Sequence, residues 1–264
     1  AEMLAQSDTV PLGYGNENNI GDNEYPVDAG DVDVDASVVR LAAGRFHTCA
    51  ILSSGNAKCW GLGSNGRLGY GNTTTIGDTE APSSVGHVDL DAGVTQIAAG
   101  QGHTCALLTS GKVRCWGQAD IGQLGYSSTT EIWAPGAEVN VDGDAGVVEI
   151  AAGQSHTCAL LSTGKVRCWG YGGNGRLGYG DTFSVGDDEV PADAGDVIVG
   201  GDVVRIVAGF SHICALLSTG KVRCWGYGGD GCLGYGNTFD VGDTEVPADA
   251  GDVNVGGDAI RLAA

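Results

Sequence analysis

The nine cysteines of this chain could form disulfides, bind a metal or act as reactive thiols. Eight of them form four pairs with one common spacing: Cys49 and Cys59, Cys105 and Cys115, Cys158 and Cys168, Cys214 and Cys224. A three-residue turn at Thr109, Ser110 and Gly111 would place Cys105 directly opposite Cys115 in a β-hairpin. Opposed Cβ atoms at a non-hydrogen-bonded position are close enough for a disulfide after slight adjustment. We therefore predict four disulfides within hairpins and, from them, secretion or a cell-surface location.

A histidine precedes the first cysteine of each pair by two positions: His47, His103, His156 and His212. Histidine and cysteine together could bind zinc. In a strand, however, side chains two positions apart share a face without converging, and no fourth ligand recurs. The pattern favours disulfides over zinc and over buried pairs of free thiols. It predicts that the histidines are structural and bond to the backbone of a neighbouring unit.

The ninth cysteine, Cys232, has no partner in its own unit and is predicted to be unpaired. It occupies a position where other units have Arg67, Gln123 or Arg176. An odd cysteine in a secreted protein is typical of an intermolecular disulfide or a free thiol. A substitution to cysteine that serves no function at this loop position would give the same pattern, so these alternatives stay open.

Acidic residues outnumber basic residues 33 to 13, which gives a formal net charge of −20. Such a surface repels nucleic acids and anionic lipids, and no run of about 18 apolar residues is present to cross a membrane. Acids recur in Gly-Asp-x-Glu segments that contain Asp78, Asp187 and Asp243. Carboxylates in loops can bind calcium, so a calcium site at these aspartates is one prediction. A solvated acidic rim without any cofactor is the other, and no EF-hand pattern is present.

The sequence shows no set of nucleophile, base and acid that would indicate an enzyme. Every histidine except His87 belongs to a repeated motif, and repeated residues usually serve the scaffold. A tryptophan also recurs beside the second cysteine of each pair, and it is predicted to pack between units rather than to stack on sugars. Trp133 lies in a segment that departs from the repeat, SSTTEIWAPGAEVN, and is the candidate for an exposed contact.

The elements that position these residues come from one unit repeated every 53–56 residues. We divide this single repeat domain into a part-repeat at 1–40, repeats at about 41–96, 97–149, 150–205 and 206–259, and a partial start at 260–264. Each unit contains a strand, a hairpin and one more possible strand in the acidic insert, near 196–199. Most of the 47 glycines occupy the same few turn positions in each unit. The two ends do not sum to a whole unit, so we expect a longer array or completion by a neighbouring molecule.

The repeated motif, IAAGxxHTCALLxxGKVRCWGxxxxGRLGYG, resembles the repeat of the regulator of chromosome condensation 1 (RCC1) family. The resemblance runs from about residue 12 to residue 264 and suggests a secreted bacterial type. It implies an all-β fold, an RCC1-like β-propeller or propeller segment of about four to five blades. Members of this family have diverse roles, so the fold alone does not give the function.

From these features we expect a non-catalytic, protein-binding scaffold stabilised by disulfides. The first alternative is a structural subunit of an extracellular fibre or oligomer, completed by neighbouring molecules. The second alternative is a carbohydrate-binding lectin with one site per unit. The expected partner is a protein or another copy of the chain, without nucleic acid or membrane insertion.

Overall fold

The computed structural model describes residues 10–22, 24–141 and 145–263. Residues 1–9 of the predicted first part-repeat and the final Ala264 lie outside the described residues. Among the described residues, no helix has the length and apolar character needed to cross a membrane.

The described residues form four antiparallel sheets of three strands each, which we call blades 1 to 4. Blade 1 contains β1 (Val38–Ala43), β2 (His47–Leu52) and β3 (Ala57–Gly61), and blade 2 contains β4 (Val94–Ala99), β5 (His103–Leu108) and β6 (Val113–Gly117). Blade 3 contains β7 (Val147–Ala152), β8 (His156–Leu161) and β9 (Val166–Gly170), and blade 4 contains β10 (Val203–Ala208), β11 (His212–Leu217) and β12 (Val222–Gly226). Helical segments are limited to single turns, including α1 (Pro26–Ala29), α2 (Pro191–Ala194) and α3 (Pro247–Ala250).

The hairpin of each blade has the register that the spacing predicts. In blade 2, Cys105 lies opposite Cys115 and Leu107 lies opposite Val113. Gly111 closes the turn with a φ of 77°, in the left-handed region that glycine adopts without steric cost. A local turn therefore fixes the alignment of the cysteine pair.

The possible fourth strand near 196–199 is not a regular strand, and this part of the sequence prediction needs correction. The Val197 amide donates to the Val166 carbonyl of β9 at 2.8 Å, which is a single ladder bond. The Val199 amide then turns back to the Val197 carbonyl at 2.9 Å. Because this tight turn uses the next backbone donor, the ladder cannot continue.

A tyrosine hydroxyl occupies the outer edge of each blade instead. In blade 2, the hydroxyl of Tyr126 accepts a hydrogen bond from the Cys115 amide at 3.0 Å and lies 3.2 Å from the Cys115 carbonyl. The tyrosines of the Leu-Gly-Tyr segments after β3, β9 and β12 repeat this arrangement on the second cysteine of their blades: Tyr70, Tyr179 and Tyr235. The side chain thus satisfies edge groups that a fourth strand would otherwise pair.

The acidic inserts form a belt around the outside of the blades, in which backbone hydrogen bonds link three pairs of successive inserts. In each case one backbone amide of an insert donates to a carbonyl of the preceding insert, at 2.9–3.1 Å: Ser83 to Asp33, Ala192 to Asn140, and Ala248 to Ile198. Arg223 reinforces the belt, because it pairs with Asp252 of its own insert at 2.9 Å and donates to the Val199 carbonyl of the preceding one. The inserts are therefore part of the fold as well as acidic surface.

The apolar core lies between successive blades, where faces of neighbouring sheets meet. The glycine of each Leu-Gly-Tyr segment that precedes a described blade packs against the indole of that blade: Gly13, Gly69, Gly125 and Gly178. A Cβ on Gly69 would lie 2.7 Å from Nε1 of Trp116, which no side chain can accept. The Leu12–Gly15 segment packs in the same way, with the Leu12 carbonyl accepting from Nε1 of Trp60 at 3.1 Å. It therefore covers blade 1 as a preceding repeat would.

The two ends of the blades differ in what they expose. One end carries the connections between first and second strands and the glycine-rich loops at 62–75, 118–131, 171–184 and 227–240, and we call it the loop face. The other end carries the hairpin turns. First strands of successive blades contact one another, so their connections meet at the centre of the loop face.

Candidate functional site

The four cysteine pairs are joined as disulfides in the structure, with S–S distances of 2.04–2.09 Å. The Cα atoms of each pair are only 4.0–4.1 Å apart. Such a distance is typical of a non-hydrogen-bonded pair, and the Cys115 amide indeed donates outward to Tyr126. All of these cysteines are buried except Cys214, which is partly buried. Each disulfide therefore joins the second and third strands of one blade. The bonded sulfur atoms offer no thiolate for zinc or for catalysis.

His47 and His103 bond to a threonine side chain of the next blade rather than to its backbone, which corrects the sequence prediction for these two repeated histidines. His47 Nε2 lies 2.7 Å from Thr104 Oγ1, and His103 Nε2 lies 2.9 Å from Thr157 Oγ1. Thr104 donates its own proton to the Arg67 carbonyl at 2.8 Å. The histidine Nε2 must therefore carry the proton that joins it to the threonine.

Two of the repeated tryptophans, Trp116 and Trp169, donate to the carbonyl that also accepts from the threonine of their own blade. Trp116 Nε1 donates to the Arg67 carbonyl at 3.0 Å, and Trp169 Nε1 donates to the Gln123 carbonyl at 3.1 Å. Three repeated tryptophans are fully buried and Trp60 is 6% exposed, so the predicted packing between units is what the structure shows. Sugars have no access to these rings.

Blade 4 departs from this network because Ile213 stands where Thr104 and Thr157 stand in blades 2 and 3. In the structure, both ring nitrogens of His156 and the Trp225 Nε1 lack a hydrogen bond of ordinary geometry. The contact between blades 3 and 4 thus depends on apolar packing around the fully buried Ile213.

Burial holds these histidines in the neutral form. It lowers the pKa of His47 to about 3 and of His103 to about 4, and Arg67 adds a further repulsion against a second proton in both cases. Burial also lowers the pKa of His156 to about 3, with repulsion from Arg176. Neutral, enclosed imidazoles of this kind cannot exchange protons with a substrate near neutral pH.

The aspartates predicted as possible calcium ligands lie in the inserts of three different blades. Asp78, Asp187 and Asp243 therefore do not converge on one site. Among the described residues, one group of three potential metal ligands falls within 4.8 Å: Asp187, Asp188 and Glu189. Burial and the two adjacent aspartates raise the pKa of Glu189 to about 7. The corresponding segments of blades 1 and 4 have Thr79 and Thr244 at the middle position and so carry one carboxylate fewer.

The two remaining predicted residues lie near the loop face. Cys232 is a free, exposed thiol that donates to the Gly229 carbonyl of its own turn. Trp133 is 46% exposed, and its Nε1 donates to Glu131 at 3.2 Å. Its carbonyl accepts from the Gly71 amide at 2.8 Å, which fixes the segment against blade 1. The roles of both residues stay predictions.

Sequence reasoning missed the aromatic side chains that the loop face exposes. Phe183 and Phe239 are 77% and 75% exposed, and Tyr171 and Tyr227 are 38% and 39% exposed. They occur only in blades 3 and 4; blade 1, for example, has threonine and leucine at these positions. A signal was present in the sequence, because large aromatic residues inside glycine-rich loops are not needed to form turns.

A family description, the Regulator of chromosome condensation (RCC1) repeat, matches the chain in two forms. One form matches residues 38–67, 94–123, 147–176 and 203–232. The other matches residues 54–107 and 110–160. Together these matches cover more than half of the chain and include a hairpin of every blade.

Similar proteins include the Ultraviolet-B receptor UVR8 of Arabidopsis thaliana, 31% identical over 204 residues, and the human Probable E3 ubiquitin-protein ligase HERC4, 31% identical over 205 residues. Both alignments cover 77% of this chain, but they cover 44% of UVR8 and 19% of HERC4. The chain therefore spans less than half the length of these relatives.

Similar solved structures include human WBSCR16, with a TM-score of 0.72 and 23% identity over 87% of this chain and 56% of that one. Yeast RCC1 (Prp20), solved with Kap60, gives a TM-score of 0.66 and 20% identity over 82% of this chain and 50% of that one. At such identities the likeness establishes the fold. The predicted all-β, RCC1-like propeller segment is confirmed, with four blades in the described residues.

The network between blades predicts the effect of removing one hydroxyl. We expect Thr157→Val to lower the free energy of unfolding by about 1–3 kcal/mol, because His103 and the Gln123 carbonyl lose a buried partner at nearly constant volume. Thr48 is the matched control, since it holds the same position in blade 1 and its hydroxyl makes no hydrogen bond within the described residues. Denaturant unfolding that shows equal losses for Thr157→Val and Thr48→Val would contradict the network.

The buried histidines predict a loss of stability on mild acidification. Their pKa values are lowered by folding from an ordinary 6.5, so the unfolded chain binds more protons between about pH 4 and 6.5. Their contribution is complete above pH 6.5 and falls as the pH drops, by about 1.4 kcal/mol per pH unit for each fully neutral histidine. Glu189, with its raised pKa, acts in the opposite direction, so denaturant unfolding is measured from pH 7 to 5 in a Glu189→Gln background. A free energy of unfolding that does not change between pH 7 and pH 5 would contradict the assignment of these histidines as buried and neutral.

Proposed function

This chain belongs to the RCC1 repeat family, and on that premise we propose that its propeller segment is a non-catalytic scaffold that binds another protein through the loop face. The observation that supports this most directly is the exposure of Phe183, Phe239, Tyr171 and Tyr227 on one end of the blades. Large aromatic side chains exposed together on one surface are typical of protein-binding sites.

The distribution of roles along the repeat supports the same function. The repeated cysteines, histidines and tryptophans are engaged between strands or between blades, and the repeated tyrosines close the sheet edges. The side chains that differ between blades lie in the loops, which a rigid scaffold can present to a partner. A site built from unrepeated residues on repeated blades fits recognition better than catalysis.

Proteins with the same fold provide a precedent for binding other proteins. The yeast RCC1 (Prp20) structure contains Kap60, and a second Prp20p study describes binding to Gsp1p and histones. Those partners belong to that protein. For this chain, the four disulfides support a scaffold that works outside the cytosol, secreted or at the cell surface.

A comparison of two surfaces tests the proposal. We expect Phe183→Ser with Phe239→Ser to abolish retention of the specific partner, because both rings lose their contact area while the blade core is untouched. Val148→Ser is the matched control, since Val148 is 54% exposed but lies in β7 close to the hairpin turn, on the opposite end of the blades. Proteins retained by the immobilised chain are quantified by mass spectrometry for the wild type and both variants.

The proposal fails if the same proteins are retained at equal levels by the Phe183→Ser, Phe239→Ser variant. It also fails if Val148→Ser removes them instead, since binding would then involve the end that carries the hairpin turns. Light scattering of the purified chain accompanies this experiment, so that self-association is separated from binding to a different protein.

A further inference from the structure

The basic residues of this acidic protein differ in whether a carboxylate pairs with them. Several pair with carboxylates in the belt or between blades, as in the ion pairs Arg167–Asp196, Arg205–Glu149 and Arg223–Asp252 at 2.9–3.0 Å. Three arginines on the loop face, Arg45, Arg67 and Arg176, are in no ion pair within the described residues. The chain has 33 acidic residues and only 13 basic residues. Even so, these three arginines lie on one surface without a carboxylate partner.

Arg45 is exposed at the centre of the loop face, between aromatic rings of two blades. Its guanidinium carbon lies 5.0 Å from the ring centroid of Phe46 and 5.3 Å from that of Phe210, in blade 4. Its backbone amide donates to the Gly100 carbonyl at 3.2 Å, and its Nη1 lies 3.4 Å from the Gln101 side-chain oxygen. The rings and these contacts hold the guanidinium in place while part of it stays open to solvent.

Arg67 places a second guanidinium over the Phe46 ring, at 5.7 Å from the centroid. It is 5% exposed and donates to the carbonyls of Ser64 and Gln101, each at 2.9 Å. Burial lowers its pKa to about 10. Two cations therefore share one aromatic ring in a partly desolvated setting, without a carboxylate in contact.

Arg176 repeats this arrangement in blade 3, with its guanidinium 5.0 Å from the Tyr171 ring centroid. Its Nη1 donates to the Gln154 side chain at 3.3 Å, but its buried Nε has no acceptor. Gly173 stands where blade 1 has Ser64, so the serine hydroxyl that accepts from Arg67 has no counterpart here. Burial lowers the pKa of Arg176.

The nearest acids form no ion pair with these arginines in the described part of the chain, and they offset the cost of burying Arg67 and Arg176 only in part. Glu131 and Asp240 act on Arg67 and Arg176 through space. Each accepts a hydrogen bond from an asparagine instead, Glu131 from Asn65 and Asp240 from Asn174. A partly buried cation without a counterion is less stable than a paired one, so this surface would gain from an external anion.

We propose that the axial patch, formed by Arg45, Phe46, Arg67, Tyr171, Arg176 and Phe210, binds a carboxylate-rich segment of a partner protein. This inference rests on the proposed function and gives the chemistry of the partner. The guanidinium groups of Arg45 and Arg176 can recognise carboxylates through paired hydrogen bonds, whereas Arg67, whose donors bond to Ser64, Asn65 and Gln101, adds positive charge. The rings between them provide apolar contact for the partner's backbone and side chains. Phe183 and Phe239, in the glycine-rich loops of the same face, are also exposed.

The charge of the remaining surface favours a short acidic segment over a nucleic acid. A long polyanion would extend from the axial patch across acidic inserts in a protein with a net charge of −20. A short peptide can occupy the centre of the loop face alone. The arginines of the axial patch then attract the acidic peptide, and the acidic inserts around the patch repel longer anions.

Fluorescence anisotropy with a short labelled peptide of alternating glutamate and alanine tests the proposal. We expect the wild type to bind this peptide, to bind more weakly as salt rises, and not to bind the matching lysine and alanine peptide. Arg45→Glu should weaken binding at least roughly tenfold, and Arg176→Gln should weaken it less. Lys165→Glu is the control with the same charge change, because Lys165 is exposed beside a hairpin turn on the opposite end of the blades.

Three results would overturn the proposal: no binding of the glutamate peptide, equal weakening by Arg45→Glu and Lys165→Glu, or tighter binding of a single-stranded oligonucleotide. Thermal unfolding of Arg45→Glu confirms that the variant is folded, and Arg45→Gln replaces it if it is not. A failure of the acidic-partner proposal can be distinguished from a failure of the scaffold function. Partner retention that depends on Phe183 and Phe239 without any peptide binding would leave the scaffold function intact and remove the acidic partner.

Discussion

The disulfide across the non-hydrogen-bonded position of each hairpin is the contact around which the rest of the blade is arranged. Three short strands have too little area to be stable alone, and their outer edge exposes backbone groups. The disulfide joins the second and third strands, and a tyrosine hydroxyl bonds the free backbone of the second cysteine at the edge. The neighbouring tryptophan then enters the interface with the preceding blade, where the histidine and threonine meet.

This arrangement separates structure from recognition within the same repeat. Nearly every repeated polar or aromatic side chain has a partner inside the propeller, so it has no capacity left for a ligand. The loops keep their glycines but vary in the larger side chains, which gives blades 3 and 4 exposed aromatic rings that blade 1 lacks. The central arginines follow the same rule, since Arg45 has Gln101, Gln154 and Phe210 as its counterparts in the other blades. Function is therefore expected where the repeat is least regular.

Sequence reasoning was most successful where contacts are local. A glycine at the end of a three-residue turn and the alternation of strand faces were sufficient to predict the Cys105–Cys115 register. Contacts between blades were less accessible, because their partners are about one repeat away and depend on how sheets stack. The histidines were therefore assigned a backbone partner instead of threonine, and the unpartnered His156 opposite Ile213 could not be foreseen. The axial arginines were not recognised, since Arg45 and Phe210 are brought together only by the propeller.

Disulfide mapping of the natively isolated protein tests most directly whether the blades are built around these cysteine pairs. The protein is digested without reduction, and the linked peptides are identified by mass spectrometry before and after reduction. We predict bonds between Cys49 and Cys59 and between the three equivalent pairs, with Cys232 free or linked to a different molecule. Free thiols at the paired positions, or bonds that connect cysteines of different blades, would contradict this account.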